Sequence, residues 1–446
     1  MSSEVRTADP IELSSRVIDA GEADEPVNRV TNELAEIDDD VALVESFSHM
    51  VVFRTDDGLV AVDASGPMSG AAVVESLRSW STDRIDSLVY THGHVDHVGG
   101  SGAVLADAER RDHAAPTVIG HENVAPRFER YVDTNGYNQI INRRQFGGIS
   151  PRHGLGLSYD EAPFLPHDTV WPTETYRDSM TRTVGGLDVE IHHDKGETDD
   201  HSWAWVPAHR ALCVGDLVTW VFPNAGNPQK VQRYPGEWAA ALRRMAEYDA
   251  ELLLPAHGLP IRGTDRIRTV LTSLAEALEF LVERTVAMMN EGASLDEILN
   301  TVTLPAEWLT RPWMNPVYDE PEFVVRNVWR LYGGWWDLDP SRLKPSPAAA
   351  IAAEHVALAG GLDAYLARAR DLADAGDLRL ACHLVETAVQ AEPDSSDAHG
   401  ARAEIYAARR AAESSLMSMG IFAAAARESA AVVSASDDAT SNDSSR

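Results

Sequence analysis

The sequence predicts an α+β protein, with a layered domain of short strands and helices followed by an all-α helical domain. Between residues 38 and 262, short runs rich in valine, leucine and phenylalanine alternate with turns and helical stretches. After residue 264, apolar residues recur almost entirely at the three- and four-residue spacing of a helix. No glycine fingerprint of a dinucleotide-binding turn follows the strands. A layered α/β or α+β arrangement is therefore expected for the first domain.

The first domain, expected over residues 38–262, begins with strand signals. The turn Asp56-Asp57-Gly58 stands between two β-rich runs and predicts a hairpin. Residues 1–37 are acidic and weakly periodic, and we expect a mobile N-terminal arm there. A helix is predicted over residues 66–80, and strands are predicted over residues 41–46, 49–54, 59–63, 85–90, 187–192, 203–206, 211–214 and 252–254.

The second domain, expected over residues 265–430, is predicted to be helical. Residues 267–289 form one long amphipathic stretch, and Ser294 begins the next helix with a capping box, because a glutamate stands three residues later. Residues 372–410 have the layout of a tetratricopeptide-like helix pair followed by one further helix. Residues 431–446 are rich in serine and aspartate, and we expect a disordered tail.

The charge of the chain excludes several classes of function. The 446 residues carry 38 basic and 70 acidic side chains, and the net charge of −32 argues against a general binder of nucleic acid or anionic membranes. Lysine occurs only at Lys195, Lys230 and Lys344. Acid-rich, lysine-poor chains are typical of halophilic proteins that stay soluble in concentrated salt.

The cysteines and the apolar runs indicate the compartment. Cys213 and Cys382 lie far apart within apolar runs, so two free thiols and a reducing environment are expected. The first residues lack a basic segment followed by an apolar one. No run of 18 apolar residues occurs either. We therefore expect a cytoplasmic protein without a secretory signal and without a membrane span.

The strongest functional signal follows the strand predicted over residues 85–90. His92, His94, Asp96 and His97 fall within six residues, and nearby glycines allow the backbone to fold tightly. Imidazole and carboxylate groups suit zinc, or iron and manganese. The spacing predicts that His92 and His94 face one metal ion and that Asp96 and His97 face a second.

Three further ligand-type residues stand near the ends of short apolar strands. His201 lies in a turn that also contains Glu197, Asp216 ends one strand and His257 ends another. Together with the first motif they predict a site for two divalent metal ions, with zinc as the expected metal and Asp216 as the candidate bridge. Water held between two Lewis acids becomes a nucleophile near neutral pH. The carboxylates Asp96 and Asp216 are the candidate catalytic residues.

The order of these motifs resembles that of the metallo-β-lactamase superfamily. The patterns HxHxDH, GxTxxH, GD and a strand-end AHG follow one another over about residues 40–262. The resemblance implies an αββα sandwich with the metals at one edge. Asp63 matches the strand-end aspartate of the family, which implies a supporting role. Seven ligands are implied, namely His92, His94 and His201 for the first metal, Asp96, His97 and His257 for the second, and Asp216 as the bridge.

Other segments resemble the type III alkylsulfatases. The stretches ALEFLVERTVAMMNEGASLDEILNTVTLPAEWL and VVRNVWRLYGGWWDLDPSRL are similar to the helical dimerisation domain of that family, which implies a homodimer. The segment from His121 to Arg127 resembles the loop that follows the first metal motif in the family. Alkylsulfatases carry glutamates where this chain has His201 and Asp216. Glu197 is therefore the alternative ligand to His201.

Four basic side chains are the candidate substrate-binding residues, because guanidinium and ammonium groups bind sulfate and similar anions: Arg143, Arg144, Lys230 and Arg233. The function implied is that of a binuclear metal-dependent hydrolase, alkylsulfatase-like, in which metal-bound hydroxide cleaves a sulfate ester or similar anionic ester. The alternatives are a lactonase or thioesterase of the same fold and a mononuclear-iron persulfide dioxygenase that shares the HxHxDH opening. A non-enzymatic helical scaffold is disfavoured, because no ligand of the motif set is missing.

Overall fold

A computed structural model describes residues 9–146 and 162–443, with side chains described to residue 436. The first eight residues of the expected arm and the last three of the expected tail lie outside the described residues. The chain divides into two compact units, which comprise the described parts of residues 1–139 and 151–335 and of residues 140–150 and 336–446.

The first sheet of the first unit has seven strands in sequence order. Neighbours from β1 to β4 are antiparallel, and neighbours from β4 to β7 are parallel. The hairpin turn predicted at residues 56–58 is confirmed, because Thr55 pairs with Gly58 across it. Gly58 has a φ of 131°, which glycine adopts readily and other residues rarely do. The strands are β1 (Glu33–Asp38), β2 (Val41–Glu45), β3 (Met50–Thr55), β4 (Gly58–Val62), β5 (Ile85–Val89), β6 (Thr117–His121) and β7 (Glu174–Tyr176).

The second sheet has six strands in the order β13-β12-β11-β10-β9-β8. Only the β11–β12 pair is parallel among the pairs of this sheet in the described residues. The strands are β8 (Ser179–Val184), β9 (Leu187–His193), β10 (Ser202–Val206), β11 (Ala211–Gly215), β12 (Leu252–Pro255) and β13 (Ile261–Arg262).

Helices cover the outer faces of both sheets. Those of the first unit are α1 (Pro10–Ala20), α2 (Gly70–Trp80), α3 (Val95–Val98), α4 (Ser101–Arg110), α5 (Val124–Asp133), the first part of α6 (Asn135–Phe146), α7 (Pro235–Met245), α8 (Thr264–Asn290), α9 (Leu295–Leu299), α10 (Ala306–Leu309) and α11 (Pro321–Gly333). The predicted capping box at Ser294 is confirmed at the start of α9. The long amphipathic stretch predicted near residue 267 corresponds to α8.

Three apolar cores hold these layers together. Side chains such as Leu43 and Ile191, from opposite sheets, pack in the central core. Helices α2 to α5 pack on the outside of the first sheet, and α1, α7, α8 and α11 pack on the outside of the second. Burial of each such valine or leucine stabilises the fold by about 1.5–3 kcal/mol. The αββα sandwich implied by the resemblance is confirmed.

The expected N-terminal arm differs from the structure. Residues 10–20 form α1, and Asp9 caps its first turn by accepting N–H bonds from Ile11 and Glu12. Leu13 and Val17, four residues apart, are fully buried in the core beneath the second sheet. A short apolar stripe thus anchors a segment whose acidic composition predicted mobility.

The second unit is helical and has its own core. It contains the end of α6 together with α12 (Pro340–Leu343), α13 (Ala348–Leu358), α14 (Leu362–Asp374), α15 (Leu378–Ala391), α16 (Ser396–Ala411) and α17 (Leu416–Asp443). Residues such as Leu366, Val385 and Ile405 form this core. The tetratricopeptide-like arrangement stays a prediction, and α17 continues as helix through most of the segment expected to be a tail.

One helix of the described chain passes the length and composition test for a membrane span. It covers Leu416–Ser436 within α17, and 33% of its most apolar 18-residue segment is buried in the protein. A packed helix of a water-soluble protein passes the same test, so this is weak evidence for a span.

Candidate metal centre

The predicted ligands meet at one edge of the sandwich, where strands of both sheets end. Asp63 follows β4, and His92 comes shortly after β5; these two strands are parallel neighbours. Asp216 follows β11 and His257 follows β12, which are parallel neighbours in the other sheet. Parallel strands end at the same edge of a sheet, and the two sheets bring their edges together here.

The turn before Asp216 requires a glycine. Gly215 has a φ of 53°, a left-handed conformation that side chains rarely adopt. A Cβ atom at this position would lie 2.8 Å from Thr91 Cβ and 2.9 Å from His201 Cε1. The Gly-Asp pair therefore lets β11 end against the motif loop and turn the Asp216 carboxylate into the site.

A first cluster contains two histidines and two carboxylates: His92, His94, Glu197 and Asp216. The ring nitrogens His92 Nε2 and His94 Nδ1 lie 2.8 Å apart. Glu197 Oε1 is 3.7 Å from His94 Nδ1, and Asp216 Oδ2 is 3.8 Å from His92 Nε2. One ligand atom from each residue therefore lies within reach of a common point.

A second cluster contains Asp96, His97 and His257. Asp96 Oδ2 lies 3.5 Å from His97 Nε2 and 3.4 Å from His257 Nε2. Asp216 Oδ1 is 3.3 Å from the first of these nitrogens and 3.4 Å from the second. The two oxygens of Asp216 thus face different clusters, which is the arrangement of a bridging carboxylate.

His201 lies beside the first cluster but outside both groups. Its Nε2 accepts the backbone N–H of Asp216 at 3.1 Å, and its ring stacks on His92 with centroids 4.9 Å apart. The structure places Glu197 where the resemblance implied His201 as a ligand. The reason is local: Nε2 of His201 is occupied by a backbone donor, whereas Glu197 extends from the same turn toward His94.

Burial and neighbouring charges divide the histidines into two types. Burial lowers the pKa of His92 and His94 well below the ordinary value, and the positive charges of His97 and Arg233 add to this. Burial acts on His97 in the same direction, but the nearby carboxylates, Asp216 first, outweigh it and raise its pKa well above the ordinary value. The neutral imidazoles of the first cluster have lone pairs available for a metal.

The pKa values of the carboxylates Asp216 and Glu197 are shifted in opposite directions. Burial works to raise the pKa of Asp216, but His97 and His257 hold it well below its usual range. Burial raises the pKa of Glu197 well above its usual range; Arg233 opposes this and Asp216 reinforces it. Glu197 and Asp216 disfavour each other's charge, and a divalent cation bound between them would offset this repulsion.

The residues present fit divalent metal ions. His97 Nε2 and Asp216 Oδ1 are buried and lie 3.3 Å apart, but neither atom makes a well-aligned hydrogen bond with any described group. Buried polar atoms are rarely left without a partner. The donors are imidazole nitrogens and carboxylate oxygens, which suit zinc and related metals. His92, His94, Glu197 and Asp216 are arranged to hold one ion, and Asp96, His97, His257 and Asp216 a second.

Asp63 supports the second cluster from behind. Its Oδ2 lies 2.8 Å from His97 Nδ1 and accepts the hydroxyl of Thr91 at 2.7 Å, and its Oδ1 accepts the N–H of Thr91 at 2.8 Å. A carboxylate on the far ring nitrogen fixes the orientation of a ligating histidine. The structure therefore places Asp63 in a supporting position.

A buried ion pair beneath the first cluster was absent from the sequence prediction. Arg127 Nε donates to Asp200 Oδ2 at 2.9 Å, and the same oxygen accepts the N–H of Gly93 at 2.9 Å. Gly93 stands between His92 and His94, so this pair fixes the backbone of the motif loop. The only sequence signal was the resemblance of the segment that ends at Arg127.

The predicted substrate residues divide between the two units. Arg233 is buried, and its Nη2 lies 3.1 Å from Glu197 Oε1, so its visible role is to hold a ligand. Lys230 Nζ lies 5.9 Å from the Phe164 ring centroid, and burial lowers its pKa to about 7. Arg143 and Arg144 lie in the last turn of α6, in the second unit, and their role stays a prediction.

Family models match two parts of the chain. The metallo-beta-lactamase superfamily matches residues 43–257, and the alkyl sulfatase dimerisation family matches residues 294–431. The chain therefore has a metallo-beta-lactamase domain followed by an alkylsulfatase dimerisation domain. The resemblances read from the motifs and from the helical stretches are both confirmed.

The curated proteins similar to this chain include several alkylsulfatases. A linear primary-alkylsulfatase of Pseudomonas sp. is 28% identical over 78% of this chain and 68% of its own length. The alkyl/aryl-sulfatase BDS1 of Saccharomyces cerevisiae is 27% identical over 79% of this chain and 56% of its own length. The chain thus spans between about half and two thirds of these curated relatives.

A solved structure shares this fold over most of the chain. The stereoselective inverting sec-alkylsulfatase Pisa1 of Pseudomonas sp. superposes with a TM-score of 0.78 at 22% identity, covering 94% of this chain and 68% of that chain. The likeness extends beyond the sandwich into the helical region.

Proposed function

We propose that this protein is a metal-dependent hydrolase that cleaves a sulfate ester of an alkyl alcohol, or a similar anionic ester. The position of Asp216 carries the proposal, because its two oxygens face two separate groups of histidines. The alkylsulfatase relatives supply the class of substrate.

The site takes two divalent ions, with zinc as the expected metal. His92, His94 and Glu197 would hold the first ion, Asp96, His97 and His257 would hold the second, and Asp216 would contribute one carboxylate oxygen to each. When bound, such ions supply a nucleophile at neutral pH and neutralise charge that develops on the ester. His201 supports this arrangement by holding the backbone of Asp216.

The protein's own side chains then act on the proton and the substrate. Asp96 is 32% exposed, compared with 8% for Asp216 and 4% for Glu197, so it is the carboxylate that solvent reaches. It is the candidate acceptor for the proton of the attacking water. Lys230 is the candidate contact for the anionic group: burial lowers the pKa of its ammonium group, and the nearby carboxylates Glu197 and Asp96 oppose this and favour the charged form. Arg143 and Arg144 remain further candidates.

A second enzyme class would use one metal. A mononuclear-iron dioxygenase shares the first motif, but Asp96, His97 and His257 form a complete second cluster, which favours the hydrolase. A lactonase or thioesterase would use the same two clusters. Turnover assays decide between these hydrolases.

Metal content and sulfate release test the proposal together. We expect about two zinc ions per chain and sulfate release from primary and secondary alkyl sulfates. His97→Ala should abolish release, and the exposed His355→Ala in the second unit is the matched control. One iron per chain would favour the dioxygenase, and turnover of carbon esters alone would refute the sulfatase assignment.

The net charge of −32 adds a salt dependence. An acidic surface repels an anionic ester at long range until salt screens it. For a halophilic, cytoplasmic enzyme we expect kcat/KM for an alkyl sulfate to rise from low to molar salt. A neutral nitrophenyl ester is the control, since its kcat/KM should rise less. An equal response of both substrates would contradict the electrostatic explanation.

The helical domain supports a homodimer. Helix α13 exposes apolar side chains, with Leu358 84% exposed and Ile351 41% exposed. Sedimentation should give twice the chain mass for the wild type and one chain mass for Leu358→Asp. Met68→Asp, at an equally apolar exposed position of the first unit, is the control and should stay dimeric.

A further inference from the structure

Residues 222–234, here called the Arg233 loop, reach the first cluster through Glu197. Arg233 Nη2 lies 3.1 Å from Glu197 Oε1, and Arg233 Nη1 donates to the backbone carbonyl of Glu197. Asn224 Nδ2 also donates to Oε1. The side chains of Arg233 and Glu197 are only 1% and 4% exposed, so water does not replace these contacts. The position of the Glu197 carboxylate therefore depends on where the loop places Arg233.

One amide of helix α11 fixes the end of this loop. Asn327 Oδ1 accepts from Gln232 Nε2 at 2.9 Å and from the N–H of Arg233 at 3.3 Å. Its Nδ2 donates to the carbonyl of Arg233 at 2.9 Å. The N–H and the carbonyl of Arg233 therefore both form hydrogen bonds with the side chain of Asn327, a residue that is only 4% exposed. Backbone groups held in this way leave the arginine little freedom to shift.

The middle of the loop is fixed to the same helix. The buried Asp319 accepts through Oδ2 the N–H groups of Gly226 at 2.6 Å and Asn227 at 3.2 Å. Gly226 lies so close to α11 that an added Cβ would be 2.3 Å from the carbonyl carbon of Phe323. Only a residue without a side chain allows this approach.

We propose that Asn327 is a positioning residue for the first metal site: it sets Arg233, and Arg233 holds Glu197 against His94. Helix α11 lies inside the region matched to the alkyl sulfatase dimerisation family, residues 294–431. It nevertheless packs in the compact unit of the sandwich. This region therefore also shapes the metal site. The inference rests on the proposed function only in treating the two clusters as a metal centre.

The test measures metal affinity one site at a time. The metal-free full chain carrying His257→Ala, which leaves the first site, is titrated with Zn²⁺ by calorimetry and with Co²⁺ by visible absorption. Adding Asn327→Ala should weaken this site by about 10- to 100-fold and alter the Co²⁺ spectrum. In a His94→Ala chain, which leaves the second site, the same change should alter affinity by less than about threefold.

Two further variants separate positioning from general loss of stability. Val328→Ala removes a fully buried core side chain from the same helix without touching the loop, and it should leave the first site unchanged. Asn327→Asp keeps the acceptor oxygen and should retain part of the affinity. Equal weakening of both sites, weakening by Val328→Ala, or no change with Asn327→Ala would each overturn the inference. A wild type that binds two ions but releases no sulfate would refute the proposed function and leave this inference standing.

Discussion

Removing the charge of Arg127 should destabilise the protein far more than removing a surface charge. The side chains of Arg127 and Asp200 are 2% and 0% exposed, and Nε and Oδ2 lie 2.9 Å apart. Burial works to raise the pKa of Asp200, but the charge of Arg127, together with hydrogen bonds from Thr198, Arg127 and the N–H of Gly93, outweighs it and lowers that pKa. Arg127→Met keeps an apolar stem against Gly93 and leaves a buried carboxylate without its cation. Such a loss costs about 3–5 kcal/mol.

A double variant and an exposed control make this magnitude testable. Arg127→Met combined with Asp200→Asn removes both charges, and Asn Oδ1 can still accept the N–H of Gly93, so most of the loss should be regained. Arg177 pairs with Glu122 on the surface, with side chains 74% and 41% exposed, and Arg177→Met should cost about 0–1 kcal/mol.

Urea denaturation of the metal-free chains in one buffer gives the free energies of unfolding without any contribution from metal binding. The reasoning would be refuted if Arg127→Met cost no more than Arg177→Met. It would equally be refuted if the double variant were as unstable as the single one.

Three further results follow from particular contacts. Gly226→Ala should cost about 1–3 kcal/mol through overpacking, whereas Gly400→Ala, in an open position of α16, should stabilise by about 0.5–1 kcal/mol; thermal shifts of the same sign would contradict this. Burial raises the pKa of Asp319 to about 7 although three backbone N–H groups lower it. The folded chain then keeps a proton that the unfolded chain loses above about pH 4, so this group's contribution to stability is lost as pH rises from about 4 through 7. Asp319→Asn should lack that part of the slope, and an unchanged slope would contradict the assignment. Removal of metal by a chelator should lower Tm, and zinc should restore it, by the equivalent of about 2.7 kcal/mol at one hundred times Kd; a Tm that does not respond would count against a structural contribution from the metal.

The sandwich and most of the metal site could be predicted because their signals are local. His92, His94, Asp96 and His97 lie in one short loop after a buried strand, and such a loop can hold ligands whatever the rest of the chain does. The positions of Asp216 and His257 could also be predicted, because each follows a short apolar strand and neighbouring parallel strands end at the same edge of a sheet. The acidic composition of the first residues predicts a mobile arm, but the four-residue spacing of the apolar Leu13 and Val17 is the signal of the buried helix that the structure contains.

The contacts that hold the ligands in place could not be predicted in this way. Arg127 and Asp200 are 73 residues apart in sequence, and no periodicity or turn signal connects them. Asn327 lies 94 residues beyond Arg233, in a region whose sequence resembles a dimerisation domain. Long-range pairs of buried polar groups are recognisable only when the fold brings both partners together, because each residue alone is compatible with a surface position.

The turn that contains Glu197 and His201 shows, within a few residues, what the sequence can predict and what it cannot. The two residues are four positions apart, and both have ligand-type side chains. The N–H of Ser202 donates to the carbonyl of Thr91 at 2.6 Å, which ties the start of β10 to the motif loop. His201 is thereby placed under the backbone of Asp216, and Arg233 and Asn224 draw Glu197 toward His94. Contacts from three distant segments therefore decide which of the two side chains faces His94, and the turn's own sequence is compatible with either.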